Sequence, residues 1–337
     1  MKEAIATRLT LFVENSQSSR RDFTWTVWPQ VRHLMALLYA IEDRPIDPIA
    51  IKESADLMKE NTGVFSIFRS TMGVTSLCVA AKLSLQNNQE QLSEDIVTAY
   101  NRLRDVKFRA SDQLAVAAFL IATNIERHNF KKTAERARDF HEGLRGRLWF
   151  FAQDDSIFSA MLGLSDTLPS VGIERIEELQ QLLKPEFKRN SRSTIQTLAQ
   201  VLALGEKSDD ALGCLFDLNK ALRSQKVRLD KEFTLPALGT LSLLPVDKAT
   251  LINDLIEAQE YLKRQKGFRS LSTQERLLFA IAIISSVYTE ECTQDSGDIA
   301  TSTVTASTVN IIVSQQIAVI IAITVAAMAA STAVASS

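Results

Sequence analysis

The sequence predicts an all-α protein of stacked antiparallel helical hairpins, an α-solenoid or α/α repeat with a period of about 40 residues and an apolar C-terminal helix. Three observations favour this class. A short apolar segment recurs along the chain, and the segments between its copies follow the 3.6-residue helical period. The third is composition, because 11 Gly and 7 Pro in 337 residues are too few turn residues for an all-β protein. With 46% apolar residues, the chain can bury a large core.

The N-terminus is predicted to form a first amphipathic helix. Its apolar residues share one face of the helical period: Ile5, Leu9, Phe12 and Val13. Charged residues interrupt the apolar run, so a secretory signal is not expected. The three cysteines, Cys78, Cys214 and Cys292, lie far apart without CxxC spacing, and we expect them to be reduced thiols in the cytoplasm.

The recurring apolar segment has a small residue at its centre and occurs seven times. Its copies read LMALLYA, LCVAAKL, LAVAAFL, IFSAMLGL, LAQVLAL, ALGTLSLL and LFAIAII. Their small residues, spaced by 44, 37, 43, 39, 40 and 41 residues, are Ala36, Ala80, Ala117, Ala160, Ala199, Gly239 and Ala280. We predict that these segments are the first helices of hairpins, which approach each other closely at the small residues. An irregular helical bundle is the alternative, because loop lengths differ among the copies.

A longer amphipathic second helix is predicted after each apolar segment, with clear stripes at 92–103, 173–183 and 251–262. Most of these helices end in a phenylalanine or an equivalent residue at the same phase: Phe65, Phe108, Phe150, Phe187, Val227 and Phe268. Polar residues that follow are predicted to cap the next helix: Ser111, Asp112, Asp154, Asp155, Ser191 and Ser193. Ser272 and Glu275 have the spacing of a capping box.

The predicted domain organisation is a helical-repeat domain over 1–290, an acidic and polar linker over 291–298, and an uncharged apolar tail over 299–337. The stretch 309–330 is rich in Ile, Val and Ala and has the length of a membrane span. Its polar residues and the lack of flanking Lys or Arg argue against insertion. A helix buried against the last repeat, a segment for self-association, a membrane anchor and a disordered tail remain alternatives.

No catalytic, cofactor-binding or metal-binding residue is predicted. The chain lacks HExxH, GxSxG, GxxxxGK and GxGxxG patterns, and its only histidines are His33, His128 and His141. We interpret His33 as a capping or packing residue. A basic patch for nucleic acid is also not favoured, because Glu135, Asp139 and Glu142 interrupt the cations of the best candidate. Those cations are Lys131, Lys132, Arg136 and Arg138.

Four phrases of the chain resemble a bacterial family known only as a domain of unknown function, family number 4003. They are HLMALLYA at 33–40, KENTGVFSIFRST at 59–71, DDSIFSAMLGLSD at 154–166 and EAQEYLKRQKGF at 257–268. The resemblance spans roughly residues 5 to 290 and implies a bacterial origin and a repeat organisation, but no site residue.

The sequence therefore predicts a cytoplasmic, non-enzymatic scaffold that binds a protein or peptide along its stacked second helices. Two alternatives to the scaffold stay open: a membrane-associated protein anchored by its C-terminal helix, and an enzyme with a site in a cavity between hairpins. Self-association through 309–330 is expected to accompany the scaffold role.

Overall fold

The computed structural model describes residues 1–23, 27, 29–62, 68, 74–147, 156–205 and 208–295. These residues form fourteen α-helices and no β-strand, which confirms the predicted all-α class. The helices are α1 (Glu3–Asp22), α2 (Pro29–Ile41), α3 (Pro48–Glu60), α4 (Val74–Leu83), α5 (Gln89–Asp105), α6 (Asp112–Asn124), α7 (Phe130–Arg147), α8 (Ser156–Leu164), α9 (Pro169–Leu183), α10 (Arg192–Ala203), α11 (Ser208–Ser224), α12 (Leu235–Ser242), α13 (Lys248–Arg264) and α14 (Thr273–Asp295).

The chain divides into two compact units. Of the described residues, 1–13 and 170–295 belong to unit 1, and the residues between 14 and 169 belong to unit 2. In unit 2, α2, α4, α6 and α8 contact one another in turn, as do α3, α5 and α7. In unit 1, the corresponding series are α10, α12 and α14, and α11 with α13. Within each series, a helix therefore contacts the next but one along the chain.

The amphipathic helices begin at regular intervals. Their first residues are spaced by 41, 41, 39, 39 and 40 residues and are Pro48, Gln89, Phe130, Pro169, Ser208 and Lys248. Asp47 caps the first of them by accepting hydrogen bonds from the amides of Ile49 and Ala50, and Asp247 caps the last by accepting one from Thr250. Local capping therefore marks the start of α3 and of α13 in the sequence.

The small residues of the seven apolar segments are all buried, and the six alanines among them have no exposed surface. At Gly239 of α12, an added Cβ would lie 2.5 Å from Cδ1 of Leu198 and 3.2 Å from Cγ1 of Val201 on α10. The side chains of Leu198 and Val201 therefore occupy the space that a Cβ at Gly239 would fill.

The residues predicted at the ends of the second helices are buried where the structure describes them: Phe108, Phe187, Val227 and Phe268. Phe65 and Phe150 lie outside the described residues. The amide of Phe108 donates to the carbonyl of Leu103 over 3.2 Å, and that of Val227 donates to Leu222 over 3.0 Å. A hydrogen bond from the sixth residue to the carbonyl of the first (6→1) defines a Schellman motif. The last residue of the motif packs against the final turn of the helix.

Both Schellman motifs place a lysine in the left-handed region, Lys107 at φ 71° and Lys226 at φ 62°. We expect Lys107→Gly and Lys226→Gly each to raise the free energy of unfolding by about 0.5–1 kcal/mol, because glycine adopts this conformation without strain. Urea denaturation measures the change. The control is Lys220→Gly within α11, which should lower stability by about 1 kcal/mol; three changes of the same sign would contradict the prediction.

The predicted N-caps are confirmed at three positions. Ser111 accepts a hydrogen bond from the amide of Leu114, and Ser191 accepts one from Thr194. Ser272 and Glu275 cap each other's amides, at 3.1 Å and 2.8 Å, and so form the predicted capping box. The predicted caps Asp154 and Asp155 lie outside the described residues.

Helix α14 continues to Asp295 and so includes the first five residues of the segment predicted as a linker, 291–298. Ion pairs within unit 1 hold this end of the helix, since Arg8 pairs with Glu290 and Lys2 pairs with Glu291. In the part of the chain that the structure describes, no helix is both long and apolar enough to cross a membrane. The predicted apolar tail, 299–337, lies outside the described residues.

Candidate interaction surface

The two kinds of helix differ in what they offer to a partner. In α10, nine of the twelve residues are buried, so most of its circumference is covered. In α5, five of seventeen residues are buried, on one stripe, and the opposite face is solvated. Helices of the second kind, α3, α5, α7, α9, α11 and α13, therefore supply surface that another molecule can contact.

Helix α9 displays two large apolar side chains to solvent. Val171 is 53% exposed and Leu182 is 57% exposed. They are eleven residues apart, which is close to three full turns, so both project from the same side of the helix. Exposed Glu174 and Glu178 lie between them along the helix. This side of α9 combines apolar contact area with negative charge.

An open depression lies beside the turn between α2 and α3 in unit 2, with a volume of about 560 Å³. We call it the α2–α3 depression; its lining is Tyr39, Arg44, Pro45, Ile46, Asp47, Pro48, Ile49, Ala50, Lys52 and Ser84. The hydroxyl groups of Tyr39 and Ser84 are 2.5 Å apart, and the Tyr39 side chain is almost fully buried. Ile49, by contrast with the buried Tyr39, has 68% of its surface exposed.

Two cations line the α2–α3 depression. Neither Arg44 nor Lys52 forms an ion pair with any residue that the structure describes, although the ammonium group of Lys52 lies 5.7 Å from the ring of Phe23. Asp47 also lines the depression, but Oδ1 of its carboxylate accepts hydrogen bonds from two backbone amides at the start of α3. Burial raises the pKa of the Tyr39 hydroxyl above its ordinary value.

His33 is a packing residue, as the sequence interpretation has it. Its side chain is 8% exposed, and Nδ1 lies 2.6 Å from the hydroxyl of Ser16 on α1. Burial, with a smaller contribution from the charge of Arg32, lowers the pKa of His33 to about 4. The imidazole is therefore neutral at pH 7 and accepts or donates a hydrogen bond between α1 and α2.

The other histidines lie in different surroundings. His128 is exposed, and its Nδ1 is 3.1 Å from the carboxylate of Glu126. His141 packs its ring against that of Phe108, with centroids 5.0 Å apart. Among the described residues, no group of three His, Cys, Asp or Glu side chains is arranged to hold a metal ion.

The four cations of the best basic patch are partly engaged inside unit 2. Arg136 donates to the carbonyls of Ser165 and Thr167, which follow α8. Arg138 donates to Glu142 over 2.8 Å, and Lys131 lies 3.9 Å from Glu135. Lys132 is exposed. Three of the four side chains therefore direct their charge into contacts of the protein itself.

Sequence reasoning missed the role of Arg136 and its counterpart Arg175. Each is the seventh residue of its helix, and each donates to a carbonyl just beyond the following helix, Arg175 to Gly205 over 2.7 Å. A cation beside the C-terminus of a helix is favourable because the carbonyl dipoles there point outward. The spacing of 39 residues between the two arginines was the available signal.

These features define an all-α protein whose alternate helices carry the accessible surface. The chain belongs to a family described as "Protein of unknown function (DUF4003)", whose model matches residues 15–318. The resemblance carried by the four sequence phrases is thereby confirmed. Comparisons with curated proteins and with solved structures gave no match.

Proposed function

We propose that this protein is a non-enzymatic scaffold of a bacterial cytoplasm, in which helical hairpins repeat over 1–290 and bind a protein or peptide through their second helices. The near-constant interval between the second helices supports the repeat. So does the contact of each helix with the next but one in its series, because hairpins that cannot bury both faces alone must stack.

The observation that carries the binding role is the exposed apolar pair on α9. Burying a Val or Leu side chain against a partner gives about 1.5–3 kcal/mol, and the two residues present their side chains on one side of one helix. A pair of exposed apolar residues that share a face offers more contact area than the scattered single residues common on protein surfaces. The proposed partner contacts this pair with apolar side chains of its own.

The proposal includes the tail as a means of self-association. Residues 299–337 carry no charge, and a segment such as 309–330 must be covered if it forms a helix that is apolar on all sides. A second copy of the chain supplies that cover in the proposed assembly. The alternative is that a membrane covers this segment, because 309–330 is long enough to span a bilayer.

Photo-crosslinking in the native cell tests both parts. A photoreactive residue at Leu182 should give one discrete adduct, and the same residue at Lys220, an exposed position of α11, should not. Adding Val171→Gln to the Leu182 crosslinker variant should reduce the adduct at least severalfold. An equal yield at both positions, or no adduct at Leu182, would contradict the binding role.

The same experiment with a chain ending at residue 298 tests the tail. Self-association predicts an adduct of twice the chain mass from a crosslinker placed within 309–330 of the full chain. It also predicts that the full chain sediments as a larger species than the shortened one. Recovery of the full chain in the membrane fraction would favour the anchor instead.

A further inference from the structure

We propose that the α2–α3 depression binds an acidic peptide segment in which a carboxylate side chain stands next to an apolar one. This inference names a site and a partner chemistry for the interaction function proposed above, and it rests on that function. The depression lies at the start of α3, one of the second helices, within unit 2.

The charges of the lining favour an anionic ligand. Of the ten lining residues, Arg44 and Lys52 are cationic, and neither has an ion-pair partner among the described residues. Asp47 is the lining carboxylate, and its Oδ1 is engaged by two amides of α3. An arginine side chain matches a carboxylate in geometry and in charge, and it can donate two parallel hydrogen bonds to it.

The rest of the lining favours an apolar group beside that carboxylate. Pro45, Pro48 and Ile49 supply apolar surface, and the large exposed fraction of Ile49 leaves its side chain in water. A ligand that covers Ile49 gains from removing this surface from solvent. The hydroxyl groups of Tyr39 and Ser84 already share a hydrogen bond.

The shape favours a length of chain over a small molecule. Small-molecule sites are concave and enclose most of the ligand surface. The α2–α3 depression is open. A small molecule that filled only the depression would leave the exposed side chain of Ile49 in solvent. A peptide can place a carboxylate in the depression and an adjacent apolar side chain over Ile49.

Fluorescence anisotropy tests this with the full chain and three labelled hexapeptides that alternate leucine with aspartate, asparagine or lysine, each with an amidated C-terminus. The aspartate peptide should bind at least tenfold more tightly than the other two. Arg44→Gln and Lys52→Gln should each weaken its binding about five- to tenfold, and Ile49→Ser should weaken it severalfold. Lys131→Gln, the same change of charge on α7, should change the affinity by less than about twofold.

Equal binding of the aspartate and asparagine peptides, or no binding of any peptide, would overturn the proposed site. If Lys131→Gln lowered the affinity as much as Arg44→Gln or Lys52→Gln, the binding would come from general electrostatic attraction. That result would also overturn the proposed site. Circular dichroism verifies that the variants keep their helices. A discrete crosslink at Leu182 would preserve the interaction function even when the peptide result is negative, so the two failures are distinguishable.

Discussion

Replacing Gly163 with alanine should lower the free energy of unfolding of unit 2 by about 2–3 kcal/mol. Gly163 lies in α8, where an added Cβ would sit 2.9 Å from the amide nitrogen of Ala137 and 2.9 Å from the carbonyl oxygen of Thr133. Both atoms belong to the backbone of α7, so no side-chain rotation relieves the clash. The two helices must separate, and the loss of packing extends to their neighbours.

The control is the same substitution at Gly213, an exposed position within α11 where an added Cβ meets nothing within 4 Å. Gly213→Ala should raise stability by about 0.5–1 kcal/mol, because alanine has the higher helix propensity. Urea denaturation followed by circular dichroism measures both variants. Two changes of the same sign would refute the close approach of α7 and α8.

The sequence predicts best what is determined locally. The capping box of Ser272 and Glu275 involves residues three apart, and the buried Phe108 closes a motif of six residues. The seven small residues are predicted for a related reason, because each lies at the centre of an apolar segment that must be buried along its whole length.

Features that join distant parts of the chain are hidden from such reasoning. The predicted linker begins at Glu291, yet Glu291 pairs with Lys2 and its neighbour Glu290 pairs with Arg8, almost the full length of the sequence away. Only the docking of α1 in unit 1 makes them part of a helix end. Their local sequence carries no trace of these partners.

The α2–α3 depression is hidden for the same reason. Arg44, Asp47 and Lys52 read as an ordinary mixed-charge turn followed by a helix. The hydroxyl of Ser84, more than thirty residues later, completes the lining only when α4 packs beside α2 and α3. The sequence of any one of these three helices does not indicate a depression that all three form together.

Arg136 shows how a correct residue pattern can suggest the wrong environment. Its neighbours Lys131, Lys132 and Arg138 make it look like part of a solvated basic face. In the structure it is partly buried and donates to carbonyls beyond α8, which sequence separation alone does not reveal. A cluster of charged residues predicts that most of them are exposed, but it does not show which single arginine faces inward.

The stability of unit 2 should fall by about 2.5 kcal/mol between pH 7 and pH 4.5 through His33 alone. The pKa of this imidazole is about 4 in the folded protein, below the value near 6.5 of an unfolded chain. The unfolded state therefore binds the proton first as the pH falls. The loss begins near pH 6.5, grows until the folded pKa is passed, and is absent at higher pH.

Comparing wild type with His33→Gln isolates this contribution from that of the carboxylates, which titrate in both proteins. Glutamine retains a polar group for Ser16 but takes up no proton, so the decline of stability between pH 7 and pH 4.5 should be shallower by about 2.5 kcal/mol. His128→Gln, the same change at an exposed histidine, is the control. Urea titrations at the two pH values measure the difference. Parallel pH profiles for wild type and His33→Gln would show that the buried imidazole does not resist protonation, and would contradict the prediction.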